Sequence, residues 1–188
     1  MKTRCLYSVL IFGIFIILLS NSCSHKDEES SVIIPLKIGN YWIYRVTVLN
    51  KPDVKIDTLT VTKDTLIRGE KWYIINHSLW HDFKWVLQNK TNGLYAVINE
   101  NSSGLFLKYK AIKGEIYASF SSKDTAMVSS INEKIKTQAG EFNCYFYASK
   151  KDDGKSSGNG YYMSPGIGMI KTLGFWDLNY ELISYKIK

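Results

Sequence analysis

From Tyr41 onward the chain alternates apolar and polar residues at period two, in short runs that each stop at a turn signal. Trp42, Tyr44, Val46 and Val48 share one parity, with Arg45 and Thr47 on the other. This is the pattern of a half-buried strand. Lys51-Pro52-Asp53 turns the chain into Val54–Leu66, where the apolar parity changes from Val54 and Ile56 to Leu59 and Val61. One extra residue would produce that change, so a bulge is predicted near Thr58. Strands follow over Lys71–Trp80 and Phe83–Gln88. Asn92-Gly93 is a strong hairpin signal, with Leu94, Ala96 and Ile98 on the return strand. Ser103-Gly104 and Lys113-Gly114 predict two further reversals, and residues 121–137 read as strand rather than as a short capped helix. Glu141–Ser149 is a strand, Lys150–Gly160 a polar Gly/Ser-rich loop, and Tyr161–Met163, Ile167–Leu173 and Tyr180–Ile187 complete the chain. About ten strands at hairpin spacing predict an all-β fold, a single antiparallel sandwich or barrel.

The first residues have a different character. Lys2 and Arg4 precede an apolar run from Leu6 to Leu19, interrupted only by Ser8 and Gly13. The run is shorter than the ~20 apolar residues that span a bilayer, and it has the layout of a secretory signal. Leu19-Ser20-Asn21-Ser22-Cys23 then resembles a lipobox, the motif read by the bacterial lipoprotein signal peptidase. The leucine sits one place further from the cysteine than usual, and Asn21 is bulkier than common occupants. By that resemblance residues 1–22 are a signal peptide and Cys23 is the lipidated residue, carrying a diacylglycerol and a further acyl chain. Two or more chains hold a protein stably on a membrane, whereas one does so only marginally. Ser24, in place of an aspartate, resembles the outer-membrane type. Lys26-Asp27-Glu28-Glu29 resembles a surface-export signal. Residues 23–34 are expected to be a flexible acidic tether, and residues 35–188 the β domain.

The other two cysteines are Cys5, which leaves with the signal, and Cys144, so the mature chain has no internal disulfide to form. The net charge is +7, but the lysines are dispersed along the chain. A nucleic-acid partner would call for a clustered basic stripe, so none is expected. A mild positive excess is compatible with lipid headgroups or acidic glycans.

Two further stretches carry a resemblance. Pro35-Leu36-Lys37-Ile38-Gly39-Asn40-Tyr41-Trp42-Ile43-Tyr44 resembles the opening of many small uncharacterised bacterial outer-membrane lipoproteins. Ala139-Gly140-Glu141-Phe142-Asn143-Cys144-Tyr145, with Tyr161-Tyr162-Met163-Ser164-Pro165-Gly166-Ile167-Gly168-Met169-Ile170-Lys171, resembles their closing hairpin. The resemblance implies an antiparallel β fold such as the curved, half-open barrel of periplasmic lipoprotein carriers, and transfers no catalytic residue.

Candidate chemistry is sparse. His77 and His81 are four apart, but on a strand that spacing covers ~13 Å, too far for joint metal ligation without a bend, even with Asp82 as a third ligand. Ser78, His81 and Asp82 supply the residue types of a hydrolase triad, yet triads are defined by geometry and no G-x-S-x-G elbow is present. Gly154-Lys155-Ser156 fails as a P-loop because Ser149 stands where the first glycine belongs. Cys144 has the apolar neighbours Phe142 and Phe146, which suit an inert thiol. The aromatic excess is more informative: five Trp and thirteen Tyr. Trp72, Tyr73, Ile74 and Ile75 run consecutively, so both faces of that strand must be covered, or one must line a cleft. Trp72, Trp80 and Trp85 are the candidate ligand-binding residues. No catalytic residue, metal or cofactor is assigned. The expected role is a non-enzymatic binding or structural lipoprotein for a glycan, lipid or partner protein. The alternatives are a carrier for an apolar ligand and a hydrolase using His77, His81 and Asp82.

Overall fold

The computed structural model describes residues 32–99, 102–119, 125–150, 156–174 and 177–188, with the backbone alone for 156–158. Cys23, the signal segment and Trp176 lie outside the described residues. Twelve strands form one antiparallel sheet. They are β1 (Tyr41–Val48), β2 (Val54–Ile67), β3 (Glu70–His77), β4 (Lys84–Lys90), β5 (Gly93–Asn99) and β6 (Ser102–Lys108), then β7 (Ile116–Ala118), β8 (Thr125–Thr137), β9 (Gly140–Lys150), β10 (Ser156–Ser164), β11 (Gly168–Leu173) and β12 (Leu178–Lys186). Strands adjacent in sequence pair with each other except β6 and β7, and β1 also pairs with β12, so the order runs β6-β5-β4-β3-β2-β1-β12-β11-β10-β9-β8-β7.

The sheet curls into a nearly closed barrel. Its two edges, β6 and β7, are consecutive in the chain, and no ladder joins them among the described residues. Side chains bridge the gap. Tyr117 Oη donates to the Phe106 carbonyl at 3.1 Å, Tyr147 Oη donates to that of Lys108 at 2.6 Å, and Lys108 is ion-paired with Glu115. This is the half-open form of barrel.

One end of the barrel is plugged. Ile33, Ile34 and Leu36 are buried there in the core, although Ile33 and Ile34 fall in the segment read from sequence as tether. Asn89 Nδ2 donates to the Ile34 carbonyl at 2.9 Å, and Gly166 N donates to that of Val32 at 2.8 Å. Asn40, fully buried, donates to the Pro35 carbonyl at 2.7 Å and accepts from Lys188 N at 3.0 Å. The two familiar sequence stretches meet at this end. Trp42 Nε1 donates to the Ile167 carbonyl at 2.7 Å, and Tyr44 Oη to that of Met169 at 2.8 Å. Gly168, at φ 110°, brings its backbone against Ile34 and the Trp42 indole, a conformation that side chains rarely adopt.

The antiparallel all-β class is as expected, with twelve strands for the expected number of about ten. Several details differ from expectation. Ser103 and Gly104 lie inside β6, and the reversal falls between Asn99 and Ser102; Ser156–Gly160 belongs to β10 rather than to a loop. Pairing of β1 with β2 is regular through Thr58, and the irregularity in β2 falls between Val61 and Lys63. The parity change has another cause. Val54 and Ile56 are 59% and 52% exposed, while Asp57 between Ile56 and Thr58 is fully buried. β2 puts a carboxylate inside and two aliphatic side chains outside.

Candidate functional site

Asp57 points into the barrel at the end opposite the plug. β2 and β3 pair antiparallel with Leu59 opposite His77, which places Asp57 diagonally across from His77, within side-chain reach. The Asp57 Oδ2 to His77 Nδ1 distance is 2.7 Å, with both side chains buried. The other oxygen, Oδ1, accepts from Ser78 Oγ at 3.2 Å and Leu79 N at 3.0 Å. Burial pushes the Asp57 carboxyl up, but the hydrogen bonds from His77, Leu79 and Ser78 outweigh it and the net shift is down. Asp57 is therefore an ionised, fully partnered buried carboxylate, and the Nδ1 proton of His77 is committed to it.

His77 ends β3. The chain then makes a turn in which Phe83 N donates to the Trp80 carbonyl at 2.9 Å. That turn throws His81 and Asp82 into solvent and returns Phe83 and Trp85 to the histidine. The ring centroids of His77 lie 5.3 Å from Phe83 and 5.0 Å from Trp85. Trp80 Nε1 reaches over to donate to Tyr180 Oη at 3.1 Å. Burial pushes the Tyr180 phenol up to about 12, opposed by that indole bond and reinforced by the Asp57 carboxylate it faces.

These residues wall a cavity of about 360 Å³, completed by Tyr161, Met169, Thr172 and Leu178 from the opposite side of the barrel. Its lining is almost wholly apolar. A second space of about 740 Å³ reaches toward the β6 and β7 edges and shares Phe83, Trp85 and Tyr161 with the first. Edge-to-face contacts run along the shared wall, from Trp85 to Phe106 at 6.5 Å and from Phe106 to Tyr161 at 5.3 Å. Ligand cavities commonly have this make-up, a large apolar wall with a few fixed polar groups.

The three candidate tryptophans separate. Trp85 and Trp80 line the cavity. Trp72 does not: on β3 it alternates with the core-facing Tyr73, Ile75 and His77, so it lies on the other face, with Lys90 Nζ 5.7 Å from its ring centre. His77, His81 and Asp82 are not brought together, since the first is buried with Asp57 and the others stand exposed. Among the described residues no three His, Cys, Asp or Glu side chains form a metal-binding group. Ser78 Oγ serves Asp57, not the histidine. Cys144 is fully buried; burial, with help from Glu133, pushes its thiol up to about 12. Asp57 went unrecognised in the sequence, where its only trace is the apolar parity that breaks at this residue.

No family model matches this chain, and no curated protein matches it. Two solved structures are similar to it. One, from Bacteroides fragilis, is described as an exported protein with a YMCC-like fold; it is 10% identical, the match covering 84% of this chain and 100% of that one, with a TM-score of 0.47. The other, from Parabacteroides distasonis, is described as a lipoprotein; it is 13% identical over 85% of this chain and 100% of that one, with a TM-score of 0.39. Neither description says what the cavity does.

Proposed function

We propose that this protein is a lipid-anchored, outer-membrane binding protein that holds an apolar ligand inside its half-open barrel. The observation that carries this reading is the apolar cavity walled by Trp85, Phe83, Tyr161 and Tyr180, which shares Phe83, Trp85 and Tyr161 with the larger space toward β6 and β7. Burying an alkyl chain there contributes about 0.8 kcal/mol per CH₂ before ordering costs. The aromatic rings meet edge to face around an interior, which suits an enclosed apolar guest better than the flat exposed platform a glycan would stack on. The anchor fits the same picture. Cys23 precedes Val32 by nine residues, a reach of about 30 Å. Val32 enters at the plugged end, so the cavity mouth lies at the end away from the attachment.

The test is a titration of the domain from Val32 onward, which contains every strand of the sheet, with the apolar dye N-phenylnaphthylamine. Saturable binding that quenches tryptophan fluorescence, weakened about tenfold or more by Trp85→Ala, is the expected result. Dye uptake that never saturates, or that ignores Trp85→Ala, would sink the cavity reading. Separately, Cys23→Ala should move the full-length protein off membranes in cell fractionation; retention would refute the anchor.

A further inference from the structure

His77 lines the cavity, and its Nε2 is buried with no hydrogen-bond partner among the described residues. Buried polar atoms are nearly always paired, so this orphan, on a residue that lines an apolar cavity, points to where a ligand's polar atom belongs. The chemistry of that atom follows from the other side of the ring. An ionised Asp57 can only accept, which puts a proton on Nδ1; in the neutral form of the ring Nε2 is then the acceptor. The complementary group must donate a hydrogen bond.

Charge narrows it further. The charge paired with the ring is the Asp57 carboxylate, and no Lys or Arg is among the described residues that line the cavity. A carboxylate or phosphate headgroup would enter a low-dielectric space against a like charge without a counter-ion. An uncharged hydroxyl meets both conditions.

We propose that the cavity binds an apolar molecule bearing one uncharged hydroxyl, which donates its proton to His77 Nε2 while the carbon skeleton packs against Trp85, Phe83 and Tyr161. This rests on the cavity being the binding site. A free long-chain alcohol and the hydroxyl of a neutral lipid would present the same chemistry.

The experiment is displacement of N-phenylnaphthylamine from the domain at neutral pH by decan-1-ol, 1-methoxydecane and decanoate. The alcohol should displace the dye at about tenfold lower concentration than the ether, which cannot donate, and at lower concentration than decanoate. His77→Phe should bind the dye and treat alcohol and ether alike. In Asp57→Asn the Leu79 N–H keeps the amide oxygen at the Oδ1 position, so the amide NH₂ faces Nδ1 and forces the ring proton to Nε2. The ether can then accept, and the alcohol's advantage should disappear. Should either variant misfold by circular dichroism, ¹⁵N resonances of His77 in the unaltered domain decide: Nε2 should be unprotonated and shift on adding decan-1-ol. Equal displacement by alcohol and ether, a preference for decanoate, a preference that survives His77→Phe, or an Nε2 that does not respond would each overturn the inference while leaving the cavity as a binding site. Failure of the dye itself to bind would instead remove the binding site, and this inference with it. A fluorescent neutral diacylglycerol used in place of the alcohol, bound or excluded, distinguishes the two sources.

Discussion

The two ends of this barrel are built on opposite terms. At the plugged end the polar groups that hold the plug are paired: Asn40 ties Pro35 to Lys188, Trp42 holds the Ile167 carbonyl, and Tyr44 that of Met169. At the other end a carboxylate is buried, a histidine nitrogen is left without a partner, and aromatic side chains line space instead of filling it. The first arrangement buys stability; the second gives some of it up for a cavity. Strain and unpaired polar groups concentrate where a protein binds, supported by packing elsewhere.

The comparison breaks most easily at Trp42. Trp42→Ala deletes a buried indole and orphans the Ile167 carbonyl, and should cost about 3–5 kcal/mol of stability in urea denaturation. A loss no larger than that from truncating Trp80 would mean the plugged end is not the stable one. Gly168→Ala comes next. It asks a side chain to adopt φ 110°, with an expected cost of about 1–3 kcal/mol, read from the same curves.

The third prediction uses pH. The folded Asp57 carboxyl sits below its ordinary value, so the unfolded chain binds a proton more readily. The Asp57 contribution is complete above the unfolded value of about 3.9 and is lost as pH falls through the folded value. Glu115 is also lowered, first by its hydrogen bond from Lys108, but it is solvent-screened. Asp57→Asn should therefore flatten the acid limb of stability against pH more than Glu115→Gln; the reverse ranking would place the acid-sensitive site at the β6 and β7 gap. The smallest stability effect is expected at the open end. Trp80 is 40% exposed, so Trp80→Phe should change stability by about 1 kcal/mol or less yet measurably weaken dye binding, because the indole no longer bridges to Tyr180.

How much of this was visible beforehand follows from the physics of each element. The antiparallel class was legible because half-buried strands must alternate, as Trp42, Tyr44 and Val46 do, and because Lys113-Gly114 and Ala139-Gly140 give the chain places to reverse. Trp80 and Trp85 were legible as candidates from the aromatic excess, though Trp72 carried the same signal from the wrong face. Asp57 was not legible. Its neighbours Val54 and Ile56 outweighed it in the parity count, so the break read as an inserted residue when it was a carboxylate turned inward.

By itself, then, the order of residues determined local things: the strands, the turns, and the glycines at Gly39 and Gly168 where the backbone needs positive φ. Only the tertiary structure decided that β1 pairs with β12, that the segment from Ile33 plugs one end, and that Asp57 in β2 reaches His77 in β3. Local pattern reports which side of a strand is apolar. Whether that side faces a filled core or an open cavity depends on what the other strands bring across the barrel, and no single stretch of sequence contains that.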